Sequence, residues 1–337
     1  MQLLNHTSLS PLVFERRGQR DEPLLTCVLC ATYAVRDGAL APLEDVPLPI
    51  DPVHRGDPRT TSLRREGLLA TFKPRCDVHL DAVARPPGGR PSRSWPVRFQ
   101  VGSLVKDVMV RGPHAWTHRL TGWSLGEPAP CTEVPLTHEH AFGGSFQVDG
   151  KRVREPRNPL GTGYLPPGAP TERPVAAPQV VTLDEPRHRA GNRYVPQGLN
   201  PIDNHVAPRL ARAGTFDDAW KERRWPRLPL DFDFAFYNSA HPDLVHPTYL
   251  RGDERVDVVG LHPAGAVGFA LPGVFPWVRL SVGRDVHPVP ARLDTLHLDA
   301  SAPEVSAWRV QLTWRVCVPM STPPQRADIR LGDRADG

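Results

Sequence analysis

Residues 307–318 read Ala-Trp-Arg-Val-Gln-Leu-Thr-Trp-Arg-Val-Cys-Val, and their two-residue rhythm sets the fold class. Successive side chains of an extended chain point to opposite faces. Trp308, Val310, Leu312, Trp314 and Val316 therefore share one face, and Arg309, Gln311, Thr313 and Arg315 the other. That is the pattern of an antiparallel strand with one packed side and one wet side. Similar strands are expected upstream over 255–261, 267–271, 277–282 and 286–298, with Pro-Ala-Gly, Pro-Gly and Gly-Arg-Asp turns between them, so the C-terminal part reads as a meander.

The N-terminal half continues the theme. Leu24 to Val35 is an apolar, β-favouring run that ends at Asp37-Gly38, a hairpin-turn dipeptide. Residues 41–66 carry prolines and charges without a period and read as a loop. Strands are expected again at 76–84, 97–101, 105–110, 116–123 and 134–142. From Pro156 to Pro208 the chain has 11 prolines in 53 positions and no sustained period, too long for an ordinary connection. We read residues 143–213 as a proline- and glycine-rich arm laid over the body, with a small hairpin on Asp149-Gly150. The predicted organisation is one all-β domain over 1–320, sandwich-like, with one or two short helices, followed by a polar tail over 321–337.

Aromatic residues concentrate in Gly-Thr-Phe-Asp-Asp-Ala-Trp-Lys-Glu-Arg-Arg-Trp-Pro-Arg-Leu-Pro-Leu-Asp-Phe-Asp-Phe-Ala-Phe-Tyr-Asn, residues 214–238. Thr215 with Asp218 resembles a capping box, so a helix is expected over 216–224, stopped by Pro226. Phe232, Phe234 and Phe236 alternate with Asp231, Asp233 and Ala235 and predict a strand. Phe216, Trp220, Trp225, Phe232 and Phe234 are accordingly expected to anchor the core, since aromatic rings at such spacing mostly fill interiors. Their competing role is a partner-binding platform.

Composition narrows the function. Net charge is only +4, positive charge is almost all arginine, and lysine occurs only at 73, 106, 151 and 221. No basic stripe marks a nucleic-acid binder, whereas arginine's planar fork suits carboxylates on a protein partner. The N-terminus lacks a signal-peptide pattern and no apolar run approaches a membrane span, so a cytoplasmic location is expected. Five irregularly spaced cysteines argue against a disulfide framework. Cys27-x-x-Cys30 has metal-pair spacing, but in a strand its thiols face opposite ways, which favours buried thiols.

Catalytic motifs are sparse. His138 and His140 form an H-x-H pair whose rings would share a strand face and could hold a metal with His114 or His118, but the carboxylate of a cupin-type motif is missing. Asp231 and Asp233 are better explained as solvent-facing partners of the phenylalanine stripe than as a glycosidase pair. The hydrolase elbow, the P-loop and the dinucleotide-binding glycine motif are absent. No cofactor is expected.

At several ordered landmarks the chain resembles a known family. These are residues 72–78 (FKPRCDV), 88–112 (GGRPSRSWPVRFQVGSLVKDVMVRG), 138–145 (HEHAFGGS), 158–163 (NPLGTG), 214–220 (GTFDDAW), 227–244 (RLPLDFDFAFYNSAHPDL), 250–265 (LRGDERVDVVGLHPAG) and 269–273 (FALPG). They resemble a bacterial domain-of-unknown-function family encoded in type VI secretion clusters, over roughly residues 8–318. Where that family has a Tyr-Glu-Arg-like triplet, this chain has His138, Glu139 and His140.

The resemblance implies a non-catalytic adaptor or chaperone. Its partners would be a secreted toxin or the toxin's PAAR-like domain and, transiently, a VgrG-type spike, with neither nucleic acid nor membrane. Phe142, Gly143, Gly144, Arg157, Asn158, Pro159, Gly161 and Gly163 are the expected border of the toxin-binding surface. The competing expectation is a metal-dependent hydrolase or cupin-like enzyme built on His138 and His140.

Overall fold

The computed structural model describes residues 1–184 and 188–332, in which strands far outnumber helical residues. The stretch that decided the fold class is the strand Arg309–Pro319, between Arg292–Ala300 and Pro23–Arg36 in an eight-stranded sheet. Its predicted apolar face is fully packed: Trp308, Val310 and Leu312 are inaccessible, and Trp314 is 2% exposed. A five-stranded sheet, built around Ser94–Val101 and its neighbours Leu104–Arg111 and Arg255–His262, supplies the opposing layer. Val97, Phe99, Val256 and Val258 from that layer meet Leu80, Leu296 and Leu312 in one apolar cluster, the filling of a β-sandwich.

Most expected strands are present. Pro23–Arg36 turns at Asp37 and Gly38, both at positive φ, into Ala39–Leu43. Cys76–Ala84 falls where the sequence placed it. The run over 116–123 is a hairpin, Ala115–Arg119 with Gly122–Leu125. The run over 134–142 is broken into Val134–Pro135, a 3-10 turn at His138–His140, and Phe142–Gly143.

The C-terminal meander does not form as read. Arg292–Ala300 lies parallel to Cys76–Ala84, a long-range pairing that no local turn could announce. Pro276–Val282 and Asp285–Pro290 leave for a third sheet, which Arg326–Leu331 and Gln2–Asn5 complete. The residues read as a polar tail thus include a sheet strand, in which Ala327 and Ile329 alternate inward between Arg326, Asp328 and Arg330. Three residues of this charged hexapeptide are buried, but one of them is Asp328, and two apolar side chains are too few to show above the polarity. Residues 333–337 of that tail lie outside the described residues.

The described parts of the arm dock on the body at several points. Its hairpin Ser145–Val148/Lys151–Arg154 turns on Asp149 and Gly150 as expected, and Val180–Thr182 adds to the edge of the five-stranded sheet. Leu165, Ala169 and Ala177 from the arm close a small second core over Trp116 and Leu125.

Residues 214–238 depart most from expectation. The helix is short, Asp218–Arg223, and is capped by Asp217, whose carboxylate accepts the Trp220 N–H at 2.8 Å. Thr215 is unavailable as a cap because its N–H and hydroxyl donate to Asp231 at 3.0 and 2.7 Å. Phe234–Tyr237 is a 3-10 turn rather than a strand, since Asp233 caps the Ala235 N–H at 2.8 Å and curls the backbone. The rings of Phe232, Phe234, Phe236 and Tyr237 consequently cluster on one another. Of the five expected anchors only Phe232 is buried, while Phe216 is 54% and Trp225 69% exposed.

The core anchors are therefore Trp308 and Trp314. Trp314→Ala is expected to cost about 3 to 5 kcal/mol of unfolding free energy, as truncating a buried Trp does. Trp225→Ala should stay within about 0.5 kcal/mol of the parent, as exposed substitutions do. Urea unfolding of both variants checks the pair.

Candidate interaction site

The second face of the Arg309–Pro319 strand was expected to be wet, but Gln311, Thr313 and Arg315 are all buried. Strand register explains why. Cys76–Ala84, Arg292–Ala300 and Arg309–Pro319 set Asp77 beside Thr295 and Thr313, His79 beside His297 and Gln311, and Asp81 beside Asp299 and Arg309. These rows form a polar ladder under a cover made from the loop over 48–75 and the segment over 197–241. Buried polar groups must find partners, and here the partners are the cover itself.

Asp77, fully buried, accepts from Lys73 Nζ at 2.7 Å, Asn238 Nδ2 at 3.0 Å and the Ser239 N–H at 3.0 Å. Burial raises its carboxyl pKa, yet Lys73, His79 and the Ser239 N–H outweigh this and hold it below the ordinary value. Ser239 Oγ lies 3.1 Å from His79 Nε2. Asp81 binds Arg55 and takes Arg64 Nε at 2.7 Å, and Arg64 also reaches Asp299 at 2.9 Å. Arg315 donates to Asp294 at 2.6 Å and to the Leu68 carbonyl at 3.1 Å. Arg209 ties Glu66, at 2.6 Å, to the Ile202 and Phe236 carbonyls.

The residues of the competing metal-site reading are used as struts. His138 Nε2 lies 3.1 Å from the Asn200 carbonyl, and the ring packs so closely on Gly198 that a Cβ there would sit 2.3 Å from Nδ1. Glu139 accepts the Ser62 N–H at 2.6 Å and its hydroxyl at 2.8 Å, while His140 Nδ1 lies 3.0 Å from Thr137 Oγ1. Among the described residues, no three His, Cys, Asp or Glu side chains gather as a metal-holding group. Cys27 and Cys30 are free, buried and on opposite faces, Cys27 in the main core and Cys30 against Leu68. Burial pushes their thiols up to about 12 and about 11.

The arm residues expected at a binding border do converge. Phe142–Gly143 pairs in parallel with Thr162–Gly163, and Asn158 lies between them. Its Nδ2 donates to the His138 carbonyl at 2.7 Å and the Phe142 carbonyl at 3.1 Å, and its own carbonyl accepts the Gly144 N–H at 2.9 Å. Gly143 is at φ +154, and a Cβ there would lie 2.1 Å from the Asn158 oxygen. Glu155 is buried behind this knot and holds Arg157 at 2.7 Å. Phe142, Gly143 and Asn158 are buried, and Arg157, Pro159, Gly161 and Gly163 are only partly exposed, so the contacts that define the group are internal. Asn158→Ala removes two donors from buried carbonyls and is expected to cost about 1 to 3 kcal/mol, measured by urea unfolding.

Exposed aromatic side chains lie instead on the excursion over 214–230. Phe216 and Trp220 meet edge to face with ring centroids 4.7 Å apart, and Trp225 and Leu230, each 69% exposed, extend the apolar display. Its base is stitched by polar bonds. Trp220 Nε1 donates to the Arg227 carbonyl at 2.9 Å, Arg224 to the Gln19 and Leu228 carbonyls at 2.6 and 2.9 Å, and Gln19 to the Phe232 carbonyl at 2.6 Å. Rings held outward on a fixed base form a preorganised knob. The sequence showed these aromatics but not their direction, because the local spacing fits an inward face equally well.

The histidines of the ladder give the fold a pH dependence. Burial lowers His79 to about 3 and His297 to about 4, from 6.5. Since both folded values lie below the unfolded one, their contribution is complete above about pH 6.5 and is lost as pH falls toward about 4. Each neutral histidine costs about 1.4 kcal/mol per pH unit in that window. Unfolding free energy should thus drop by about 2 kcal/mol per histidine from pH 7 to 5, and the double variant His79→Gln/His297→Gln should lose most of that slope in urea titrations.

Comparison with known families gives one match. A model described as "Uncharacterized protein conserved in bacteria (DUF2169)" matches residues 20–315. No curated protein and no solved structure matches. Among the described residues no helix is long and apolar enough to cross a membrane.

Proposed function

The chain belongs to the DUF2169 family, and from that premise we propose that it is a non-catalytic adaptor that docks a protein partner on the Phe216–Leu230 knob. The observation that carries the reading is the knob. Phe216, Trp225 and Leu230 stand exposed while the indoles of Trp308 and Trp314 are enclosed, so the fold does bury rings of this size elsewhere. Exposed Trp and Phe on a rigid base are the side chains that dominate protein interfaces. The short helix beside these rings carries Lys221 and Arg223 but also Asp218 and Glu222, all exposed, so its charges balance and the apolar rings carry the contact.

The ordered landmarks described above make a secreted toxin, or its PAAR-like domain, the partner of choice. In this reading the chain holds the toxin in the cytoplasm and passes it to a VgrG-type spike, without a cofactor. The arm residues around Asn158 then shape the scaffold rather than the contact. An enzyme built on His138 and His140 has no observation in its favour, since both rings and Glu139 are committed to internal bonds.

The test is affinity capture of the tagged chain from its native cells, with partners identified by mass, in parallel with Trp225→Ala and the double variant Phe216→Ser/Trp225→Ser. The expected result is a toxin with a PAAR-like domain, held by the parent. Trp225→Ala should weaken it by about 2 kcal/mol, roughly thirtyfold, at an unchanged denaturant midpoint. Capture of that toxin at parental affinity by the double variant would remove the knob from the interface.

A further inference from the structure

The middle row of the polar ladder does not stop at Gln311. Register continues it from His79 through His297 and Gln311 to Thr32 and Leu43, across four strand junctions on one face of the sheet. At the His79 end the row is sealed under Ser239. At the Thr32 end it opens into a cavity of about 260 Å³ between the sheet and the loop that carries Val46, Val53, Arg64 and Arg65.

The lining is divided by chemistry. Leu43, Val46 and Val53 make an apolar wall, and Arg64, Arg65, Arg309, His297, Gln311 and Asp299 make a polar one. Three guanidinium groups face one carboxylate there, and that carboxylate, Asp299, is already held by Arg64 at 2.9 Å and by Ser301 Oγ at 2.6 Å. Two of the lining residues each carry a buried polar atom without a partner, Nε of Arg65 and Nδ1 of His297, the latter residue 7% exposed. Such atoms are uncommon in a folded protein and call for a ligand or ordered water. Burial lowers the Arg65 pKa and Arg64 beside it adds to that, so a negative charge placed there relieves a strained cation.

We propose that this cavity binds a small organic monocarboxylate with a short aliphatic body. The carboxylate meets the fork of Arg65, with His297 and Gln311 on its flank, and the aliphatic part lies on Leu43, Val46 and Val53. Arginine's planar pair of donors matches a carboxylate in bidentate fashion. A cavity of about 260 Å³ admits only a small ligand. A phosphate dianion fits less well, because it leaves the apolar wall uncovered and brings a second negative charge toward Asp299. The site does not depend on the adaptor reading, and its aliphatic carboxylate can belong to a free acid or to the C-terminal residue of a polypeptide.

The experiment is calorimetric titration of the full chain with 3-methylbutanoate, with a pentapeptide ending in leucine as free acid and as C-terminal amide, and with inorganic phosphate. Saturation of one site by 3-methylbutanoate but not by the peptide acid assigns a free acid, whereas saturation by the peptide acid but not its amide assigns a chain terminus. Arg65→Gln is expected to weaken the binding acid tenfold or more at an unchanged urea midpoint. Val53→Glu, on the partly exposed loop wall, should weaken it as much by charge repulsion and gives a second reading if Arg65→Gln fails to fold. The proposal is overturned if neither acid saturates, if phosphate binds as tightly as the acid, or if the folded variants bind as well as the parent.

Discussion

The buried carboxylate of Asp77 is the constraint on which the rest of the structure hangs. It sits near the start of the strand Cys76–Ala84, on the face opposite the sandwich core, and cannot be left without donors. Lys73 supplies one from the incoming loop, and Asn238 and Ser239 supply two more from a segment some 160 residues later in the chain. One side chain thereby fixes both halves of the cover relative to the sheet. The Arg209–Glu66 and Arg315–Asp294 pairs repeat the device at the margins.

Such a ladder is an expensive way to build an interface between a sheet and its cover. Buried ion pairs often contribute little net stability compared with well-packed apolar groups, because desolvation consumes most of their attraction. They do discriminate strongly between the correct arrangement and any shifted one, since a slip of two residues would strand a charge. The cover has little regular secondary structure of its own and many prolines, so it has few backbone ladders to set its register. Directional bonds to Asp77, His79 and Asp81 substitute for them.

The same logic separates scaffold from surface in the rest of the chain. The arm is pinned by Asn158 and by glycines that allow its strands to approach, and the side chain of Asn158 is spent on internal contacts. The Phe216–Leu230 excursion is pinned only at its base, through Gln19, Arg224 and Trp220, and leaves its rings free. A body held rigid by polar staples can present apolar groups without collapsing onto them. That division of labour is what the adaptor role proposed above would use.

The sequence by itself determined the local elements whose signal lies within a few residues. The alternation over 308–316, the Asp37-Gly38 and Asp149-Gly150 turns, the Cys76–Ala84 strand and the opposed cysteines are all set by nearest-neighbour geometry. It also showed that residues 214–230 are unusual and that the arm is too long to be a simple connector. Only the tertiary structure decided which faces are covered. Whether Gln311, Thr313 and Arg315 meet water, whether Trp225 points in or out, and whether Arg326–Leu331 is a tail or a strand depend on partners far away along the chain, or on which residues compete for a hydrogen bond, as Asp231 does for Thr215. A two-residue or four-residue period states that a side chain has neighbours on one face; it carries no record of what the folded chain brings against the other.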